Sequence, residues 1–419
     1  MGNEKIKVLT LSDHPLSPSG VGTQTRYVIE ALIKTGKFQV ISLGGAIKHQ
    51  DYTPKSVDPY GEDWRIIPVD GYGTQEMIRS ILRNENIDIL WMMTDPRFYE
   101  WLWQIENEIR PLCPIVYYHV WDNFPAPHFN KKFYESNDYI VSISKLTHEI
   151  VSEVAPNVPN IYIPHAVGDF FTPLDKEKVR EQSLPEEDRD KFIVFWNNRN
   201  ARRKQSGTLL FWWKDWLDKR DLHGKAQLIM HTEPKDPHGQ DLTHIVEQIG
   251  LHNQRQVLFS TQKVATDQMP LFYNIADVTV NISDAEGFGL ATLESLSCGT
   301  PIIATMTGGL QEQVFGPNGM NGIGLYPASK TIIGSQQVPY IYEDRISKKA
   351  FMAALDQIYD GGEEFRKELG ANGRQHVVEN YNFAGFQQKW IDFMLKVHEE
   401  NGNSSIRENY SSITFKEVA

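Results

Sequence analysis

Residues 276–306 read ADVTVNISDAEGFGLATLESLSCGTPIIATM, and the order of the parts of this stretch indicates an α/β protein. Each end carries a short apolar run, which is typical of a strand that is buried on both faces. A glycine turn follows the first run, and a helical pattern follows the turn. A strand, a helix and a second strand in this order predict a parallel sheet with helical crossovers.

The same alternation recurs along most of the chain. Strand-like runs begin at Ile6, Phe38, Ile87, Pro114 and Asp138, and a second set begins at Phe192, Ala226, Gln256, Ala276 and Pro301. Segments with apolar residues three or four positions apart separate these runs, as expected for helices. The pattern predicts two doubly wound, Rossmann-like domains in series.

The boundary between the domains is expected where this alternation stops. The stretch from Thr172 to Asp190 is dense in charge and proline and lacks a strong apolar period, which is typical of a linker. The glycine-rich segment 316–345 is expected to be a loop excursion of the second domain. The predicted order is a first domain over 1–172, a linker over 173–190, a second domain over 191–380, a C-terminal helix over 381–400 that packs back on the first domain, and a polar tail over 401–419.

Composition narrows the class of protein. The chain has 419 residues, and its 42 basic and 54 acidic side chains give a formal net charge of −12. The acidic balance argues against a surface built mainly for nucleic acid. Two cysteines are too few for a disulfide framework. Because there is no apolar run long enough to span a membrane and no signal peptide, we expect a cytoplasmic location.

The glycine turn within 276–306 is the densest candidate site. Gly287 and Gly289 let backbone amides approach a ligand closely, and the start of the helix that follows presents free N–H groups that suit a phosphate. Glu286 precedes this helix and Glu294 lies about two turns into it. Two carboxylates so placed can accept hydrogen bonds from the hydroxyls of a sugar and a ribose.

Three further features follow strands. The basic run NNRNARRK, residues 197–204, directly follows a predicted buried strand, and its cations can neutralise negative charge on a ligand. The loop that contains Gly20 and Gly22 follows the first strand, but the third glycine of the dinucleotide fingerprint is replaced by Thr25. His119 ends the strand that begins at Pro114, where either a core role or a functional role is possible.

The site motif resembles that of the retaining glycosyltransferases of family 4, also called glycosyl transferases group 1. The resemblance is carried by Glu286-Gly287-Phe288-Gly289, by Glu294 eight positions after Glu286, by 295–301, and by Gly308-Gly309 with Glu312. It extends over nearly the whole chain and thins between 50 and 85 and after 316. The family has the GT-B architecture, in which two Rossmann-like domains face each other across a cleft.

The resemblance implies a role for each matching residue. Glu286 contacts the donor sugar, Glu294 contacts the nucleotide ribose, and Arg199 and Lys204 neutralise the donor diphosphate. Arg202 and Arg203 are additional to the family pattern, and either can take the place of Arg199. The loop with Gly20 and Gly22 lies against the donor phosphates and the reacting sugar, and His119 points into the cleft near that sugar. The amides that contact the diphosphate are those of Gly287, Phe288, Gly289 and Leu290.

The activity implied by the resemblance is transfer of a sugar, with retention of its anomeric configuration, from a nucleotide diphosphate sugar to an acceptor hydroxyl. The expected catalytic residues are His119, Glu286, Arg199 and Lys204, with no metal and no other cofactor. The acceptor is left open among a glycan, a small molecule, a lipid-linked sugar and modified DNA. The alternatives are a nucleotide-sugar epimerase and a glycosyltransferase for hydroxymethylated pyrimidines in DNA. A dinucleotide-dependent oxidoreductase and a sugar-binding module without activity are more distant rivals.

Overall fold

The computed structural model describes residues 5–401, which fall into two compact units. The first unit contains the described residues up to His165 and those from Ala384 onward, and the second unit is Ala166–Phe383. The expected boundaries lay at 172 and 381. Apart from Asn401, the predicted polar tail over 401–419 lies outside the described residues.

The first unit is built on one eight-stranded sheet with the order β3-β4-β2-β1-β5-β6-β7-β8. All neighbouring pairs are parallel except β3 and β4. The strands are β1 (Ile6–Asp13), β2 (Phe38–Gly45), β3 (Lys55–Val57), β4 (Gly61–Pro68), β5 (Ile89–Met93), β6 (Ile115–His119), β7 (Tyr139–Ser142) and β8 (Asn160–Tyr162). The helices are α1 (Gly20–Lys34), α2 (Gln75–Asn84), α3 (Glu100–Trp103), α4 (Glu106–Ile109), α5 (Lys131–Glu135) and α6 (Lys145–Val154).

The second unit has a six-stranded parallel sheet of β9 (Phe192–Asn197), β10 (Ala226–His231), β11 (Val257–Ser260), β12 (Val278–Asn281), β13 (Ile302–Thr305) and β16 (Gly322–Leu325). Its strand order is β11-β10-β9-β12-β13-β16. Two hairpins are separate from this sheet, namely β14 (Phe315–Gly316) with β15 (Gly319–Met320) and β17 (Ser329–Ile333) with β18 (Ile341–Arg345). The helices are α7 (Lys176–Ser183), α8 (Ser206–Arg220), α9 (Leu242–Gln248), α10 (Pro270–Ile275), α11 (Leu290–Ser297), α12 (Gln311–Val314), α13 (Lys348–Asp360) and α14 (Gly362–Asn380).

The doubly wound character predicted from the alternation is confirmed in both units. All ten strands predicted from apolar runs lie in the two sheets, which also contain β3, β4, β8 and β16, and β5 and β6 are buried along their whole length. Parallel sheets are covered by helices on both faces, which is why these runs have no polar alternation.

The prediction of a loop excursion over 316–345 is wrong. That segment contains the sixth strand of the second sheet, β16, as well as a strand from one hairpin and the whole of the other. Glycine is required in β16 because a Cβ at Gly322 would lie 2.0 Å from the carbonyl oxygen of Ile302 on the neighbouring strand. The glycine content therefore reflects close packing of two strands.

The stretch expected to be a linker contains helix α7. Asp175 caps this helix by accepting a hydrogen bond from the amide of Lys178 at 3.2 Å. Arg180 binds the buried carboxylate of Asp277 at 2.8 Å and the carbonyl of Ile275 at 2.7 Å. Ion pairing thus attaches this segment to the second unit. Because charged side chains make these contacts, the sequence of the helix shows no apolar periodicity.

The last described helix, α15 (Phe383–Asn401), belongs to the first unit from Ala384 onward. Its Trp390 is fully buried and packs edge-on against Trp91, at a centroid distance of 5.9 Å, and against Tyr118, at 4.8 Å. This aromatic packing attaches α15 to the first unit, which also contains the first strand, β1. Over residues 5–401, every helix is too short or too polar to cross a bilayer.

Candidate functional site

The candidate site lies at one edge of the second sheet. Strands β9 and β12 are parallel neighbours, so their carboxyl ends meet at the same edge. The basic run follows β9, and the glycine turn with Glu286 follows β12. The amide of Asp284 donates to the carbonyl of Arg203 at 2.8 Å, which joins the two loops directly.

Glu286 lies among cations and amide or hydroxyl donors. The ammonium of Lys204 donates to its carboxylate, and the guanidinium of Arg203 approaches it to 3.8 Å. Asn281 and Ser283 donate at 3.5 and 3.4 Å. Burial works to raise the pKa of Glu286, but Lys204 and Arg203 outweigh this effect and lower that pKa to about 2. Glu286 is therefore an oriented carboxylate that stays ionised at neutral pH.

Glu294 has the opposite electrostatic environment. The hydroxyl of Tyr273 donates to its carboxylate, and Asn197 at the end of β9 donates to that hydroxyl at 2.9 Å. Burial raises the pKa of Glu294 to about 7, and the tyrosine hydrogen bond offsets only part of this effect. The two glutamates thus differ in charge near neutral pH although they lie eight residues apart.

This raised pKa predicts a pH-dependent cost of folding. An unfolded glutamate ionises near pH 4.5, so the folded wild type loses stability as the pH rises from that value through about 7. We expect Glu294→Gln to melt at a higher temperature than the wild type at pH 8 and at nearly the same temperature at pH 4, below the pKa of the unfolded glutamate. Thermal unfolding at both pH values tests this, with the exposed Glu187→Gln as the control. An equal gain at both pH values would contradict it.

The glycine turn places backbone amides beside Glu286. Gly289 has φ +91° and precedes α11, so this position favours glycine. Among residues 5–401, the amides of Gly287, Gly289 and Leu290 have no backbone or side-chain acceptor. Phe288 is buried against Tyr381, at a centroid distance of 5.9 Å. Free amides at the start of an eight-residue helix favour an anionic ligand.

The arginines of the basic run are held in different directions. Arg199 makes a two-point contact with Asp236, at 2.7 and 3.2 Å, on the loop that follows β10. Arg202 pairs with Glu343 on β18, and Arg203 donates to the carbonyl of Ala285 at 2.6 Å. The structure therefore brings Lys204 and Arg203 to Glu286 and places the guanidinium of Arg199 on Asp236.

The glycine loop of the first unit is a capped turn. Ser19 accepts a hydrogen bond from the amide of Gly22 at 3.0 Å and donates to the carboxylate of Asp13 at 2.6 Å. Gly20 is the first residue of α1. The loop thus begins α1 at the carboxyl end of β1, and the predicted contact of Gly20 and Gly22 with donor phosphates stays a prediction.

His119 is enclosed within the first unit. Its ring is fully buried between Tyr117 and Tyr134, with Nε2 at 2.6 Å from the hydroxyl of Tyr134. Nδ1 has no hydrogen-bond partner among the described residues. Burial lowers the pKa of His119 to about 3, so the ring is neutral at pH 7. These contacts are those of a core histidine, and a catalytic role for His119 stays a prediction.

Several partners at the site were missed from the sequence, namely Asn197, Asp236, Tyr273 and Glu343. Only Asn197, which directly ends a predicted strand, carried a signal. Tyr273 lies in the short helix α10 and Glu343 lies in the segment predicted as a loop. Within residues 5–401, no three His, Cys, Asp or Glu side chains are grouped so that they could hold a metal ion.

Comparison with known proteins identifies related sequences. Residues 176–376 match the family described as "Glycosyl transferases group 1". The D-inositol 3-phosphate glycosyltransferase of Paenarthrobacter aurescens (strain TC1) is 36% identical over 83 residues, which cover 20% of this chain and 19% of the relative. The MMP alpha-(1->4)-mannosyltransferase of Mycolicibacterium hassiacum is 26% identical over 165 residues, covering 39% of this chain and 33% of the relative. The chain thus spans about a fifth to a third of the length of these curated relatives.

Solved structures share the fold over nearly the whole chain. Sucrose-phosphate synthase from Thermosynechococcus elongatus has a TM-score of 0.73 at 18% identity and covers 94% of this chain and 100% of its own. Anabaena Alr3699/HepE, solved in complex with UDP and glucose, has a TM-score of 0.68 at 14% identity and covers 93% and 100%. These likenesses confirm the predicted GT-B class of fold.

Proposed function

From the premise that residues 176–376 carry the pattern of glycosyl transferases group 1, we propose that the protein is a retaining, metal-independent glycosyltransferase. It transfers a sugar from a nucleotide diphosphate sugar to an acceptor hydroxyl. The observation that carries this proposal is the contact of Lys204 with Glu286 beside free amides at the start of α11. A cation, a carboxylate and anion-binding amides at one strand edge suit a diphosphate joined to a sugar.

Each group then has a task that follows from its chemistry. The amides of 287–290 bind diphosphate oxygens, and Lys204 with Arg203 neutralises the charge that grows as the diphosphate leaves. Glu286 accepts hydrogen bonds from hydroxyls of the transferred sugar. The carboxylate of Glu294, to which the hydroxyl of Tyr273 donates in this structure, accepts hydrogen bonds from the ribose hydroxyls. Fixed groups of this kind act mainly on the transition state, where the leaving-group charge is largest.

Retention follows from attack on the face of the sugar that carries the leaving group. The acceptor oxygen forms its bond to the anomeric carbon as the bond to the diphosphate breaks, and a departing phosphate oxygen takes the acceptor proton. The low pKa of Glu286 suits an orienting carboxylate and not a proton donor. Positioning and leaving-group stabilisation would then supply the catalysis.

A donor panel tests this function. UDP-glucose leads the panel, because UDP and glucose are bound in the structure of Alr3699/HepE, and ADP-, GDP- and other UDP-sugars follow. We expect one donor to raise the melting temperature, since a ligand of the folded state stabilises it. We expect sugar transfer from that donor to continue in excess EDTA.

The outcomes separate the alternatives. Activity that is lost in EDTA and restored by Mg²⁺ or Mn²⁺ would contradict the metal-free mechanism. A new sugar nucleotide formed from donor alone would identify an epimerase. The acceptors to be tested with the bound donor are glycans, small alcohols and sugar phosphates, lipid-linked sugars and hydroxymethylated duplex DNA. Failure of every donor to bind would overturn the proposal.

A further inference from the structure

Strand β18 is attached to the candidate site at two points. The amide of Asp344 donates to the carbonyl of Asp284 at 2.8 Å, at the start of the glycine turn. The carboxylate of Glu343 pairs with Arg202 in the basic run. The hairpin of β17 and β18 therefore contacts both loops of the site.

Glu343 is a buried carboxylate between two exposed arginines. Its side chain is 2% exposed, whereas those of Arg202 and Arg345 are 62% and 46% exposed. Arg345 donates to the second carboxylate oxygen at 2.8 Å. Because an unpaired buried carboxylate is strongly unfavourable, Glu343 keeps both guanidinium groups at this position.

Arg202 keeps donors for another ligand. Only its Nη2 is used by Glu343, and its other guanidinium N–H groups have no acceptor among residues 5–401. Arg199 differs, because Asp236 occupies both its Nε and its Nη2. Arg202, two residues before Lys204, is therefore the arginine that Glu343 holds in place while some of its N–H groups remain available.

The backbone beside Arg202 is also fixed. Gln205 has φ +58°, a left-handed conformation that is uncommon for residues other than glycine. Its side-chain amide donates to Asp284 at 2.6 Å and accepts from Thr208 at 2.6 Å. Side-chain hydrogen bonds thus stabilise an unfavourable backbone conformation at the end of the basic run, as is common at functional sites.

We propose that Glu343 is a positioning residue of the donor site, which holds the guanidinium of Arg202 where it binds an oxygen of the donor diphosphate. This inference rests on the proposed function. A guanidinium that is already ordered loses less conformational freedom when the ligand binds, and its remaining N–H groups can contact a phosphate oxygen. Glu343 acts only through Arg202 and does not touch the donor.

Binding to the full-length chain tests the inference. Calorimetry with UDP, ADP and GDP identifies the nucleoside diphosphate that binds the wild type, and its nucleoside is then measured in parallel. We expect Glu343→Gln and Arg202→Ala each to weaken binding of the diphosphate by about tenfold, the loss of one hydrogen bond to a charged group. Binding of the nucleoside should change by less than about twofold, because it has no phosphate for Arg202. The double variant should be no weaker than either single variant.

Asp356→Asn is the matched control. Asp356 holds Lys219 at 2.9 Å and Arg220 at 3.1 Å at the far end of α8, about 22 Å from its start by helix rise. We expect this variant to lower the melting temperature without changing nucleotide affinity. In steady-state kinetics, Glu343→Gln should raise the donor KM more than it lowers kcat.

Three results would be decisive against the inference. Unchanged diphosphate affinity in Glu343→Gln and Arg202→Ala would overturn it. Equal weakening for the diphosphate and the nucleoside would reduce Glu343 to a structural role. If Glu343→Gln fails to fold, Glu343→Asp takes its place: it keeps the negative charge on a side chain shorter by one methylene, and unchanged diphosphate affinity in this variant would overturn the inference. A wild type that binds none of the three diphosphates would instead overturn the proposed function, and the inference would fall with it.

Discussion

Lys204→Met is expected to lower kcat at saturating donor by about 10²- to 10³-fold, the range seen when one fixed group that stabilises developing charge is removed. The ammonium of Lys204 is the cation in direct contact with Glu286, and its side chain is only 9% exposed. A buried cation is screened weakly by water, so its interaction with a leaving diphosphate is strong. Arg203 lies 3.8 Å from the same carboxylate and cannot replace a contact ion pair.

The same substitution is expected to destabilise the second unit. Removing one partner of a buried ion pair costs about 3–5 kcal/mol of folding free energy. We expect a loss at the lower end of that range, because Arg203 still lies 3.8 Å from the Glu286 carboxylate. The wild-type pKa of Glu286 is depressed to about 2, so its stabilisation is present above about pH 4.5 and is lost as the pH falls through about 2. The melting temperatures of wild type and variant should therefore converge as the pH is lowered from about 4.5 towards 2.

A double variant separates stability from catalysis. Lys204→Met with Glu286→Gln leaves no unpaired buried charge, so the melting temperature should recover while kcat stays low. Lys225→Met, a change of an exposed lysine at the opposite edge of the same sheet, is the control for loss of a positive charge. Wild-type turnover in Lys204→Met would remove the diphosphate role from this residue.

The fold was predictable from the sequence wherever an element is buried through apolar residues, because these residues then form a continuous run or a repeating pattern. Strand β5 is predicted because all five of its residues are buried and apolar. Strand β16 was missed because it approaches β13 so closely that Gly322 is required, and glycine carries no strand signal. Helix α7 was missed because Arg180 attaches it through Asp277 and not through an apolar face. Sequence patterns report apolar burial well and report backbone proximity and ion pairing poorly.

The site was predictable where its members are neighbours in sequence. Glu286 and Glu294 share one strand–turn–helix motif, and their separation follows from the helix that joins them. Their different pKa values do not follow from the motif, because Lys204 and Tyr273 come from other elements. Arg199 has the expected spacing to Lys204, yet its guanidinium is directed to Asp236, an acid that no spacing rule connects to it.

The two glutamates are expected to give opposite results when tested with a nucleoside diphosphate. At pH 8, above the Glu294 pKa of about 7, Glu294→Ala should weaken its binding by about 1–3 kcal/mol, because the ribose hydroxyls of this ligand lose a charged acceptor. Glu286→Ala should bind it at least as tightly as the wild type, since the substitution removes a carboxylate that competes with the diphosphate for the ammonium of Lys204. Because this ligand lacks the sugar, the cost of Glu286→Ala should appear only in transfer, as a lower kcat/KM.

Calorimetry on both variants, with the nucleoside diphosphate that binds the wild type, measures this difference. Tyr273→Phe is the matched control for Glu294, because it removes the hydroxyl that donates to the carboxylate and retains the carboxylate itself. It should affect binding less than Glu294→Ala does, since the ribose can still find its acceptor. Equal weakening in both glutamate variants, or weakening in Glu286→Ala alone, would contradict the division of roles. Weakening in Glu286→Ala alone would exchange the sugar and ribose ends of the ligand along α11 and reverse its proposed orientation on the sheet edge, whereas equal weakening would mean that both carboxylates contact the nucleoside diphosphate.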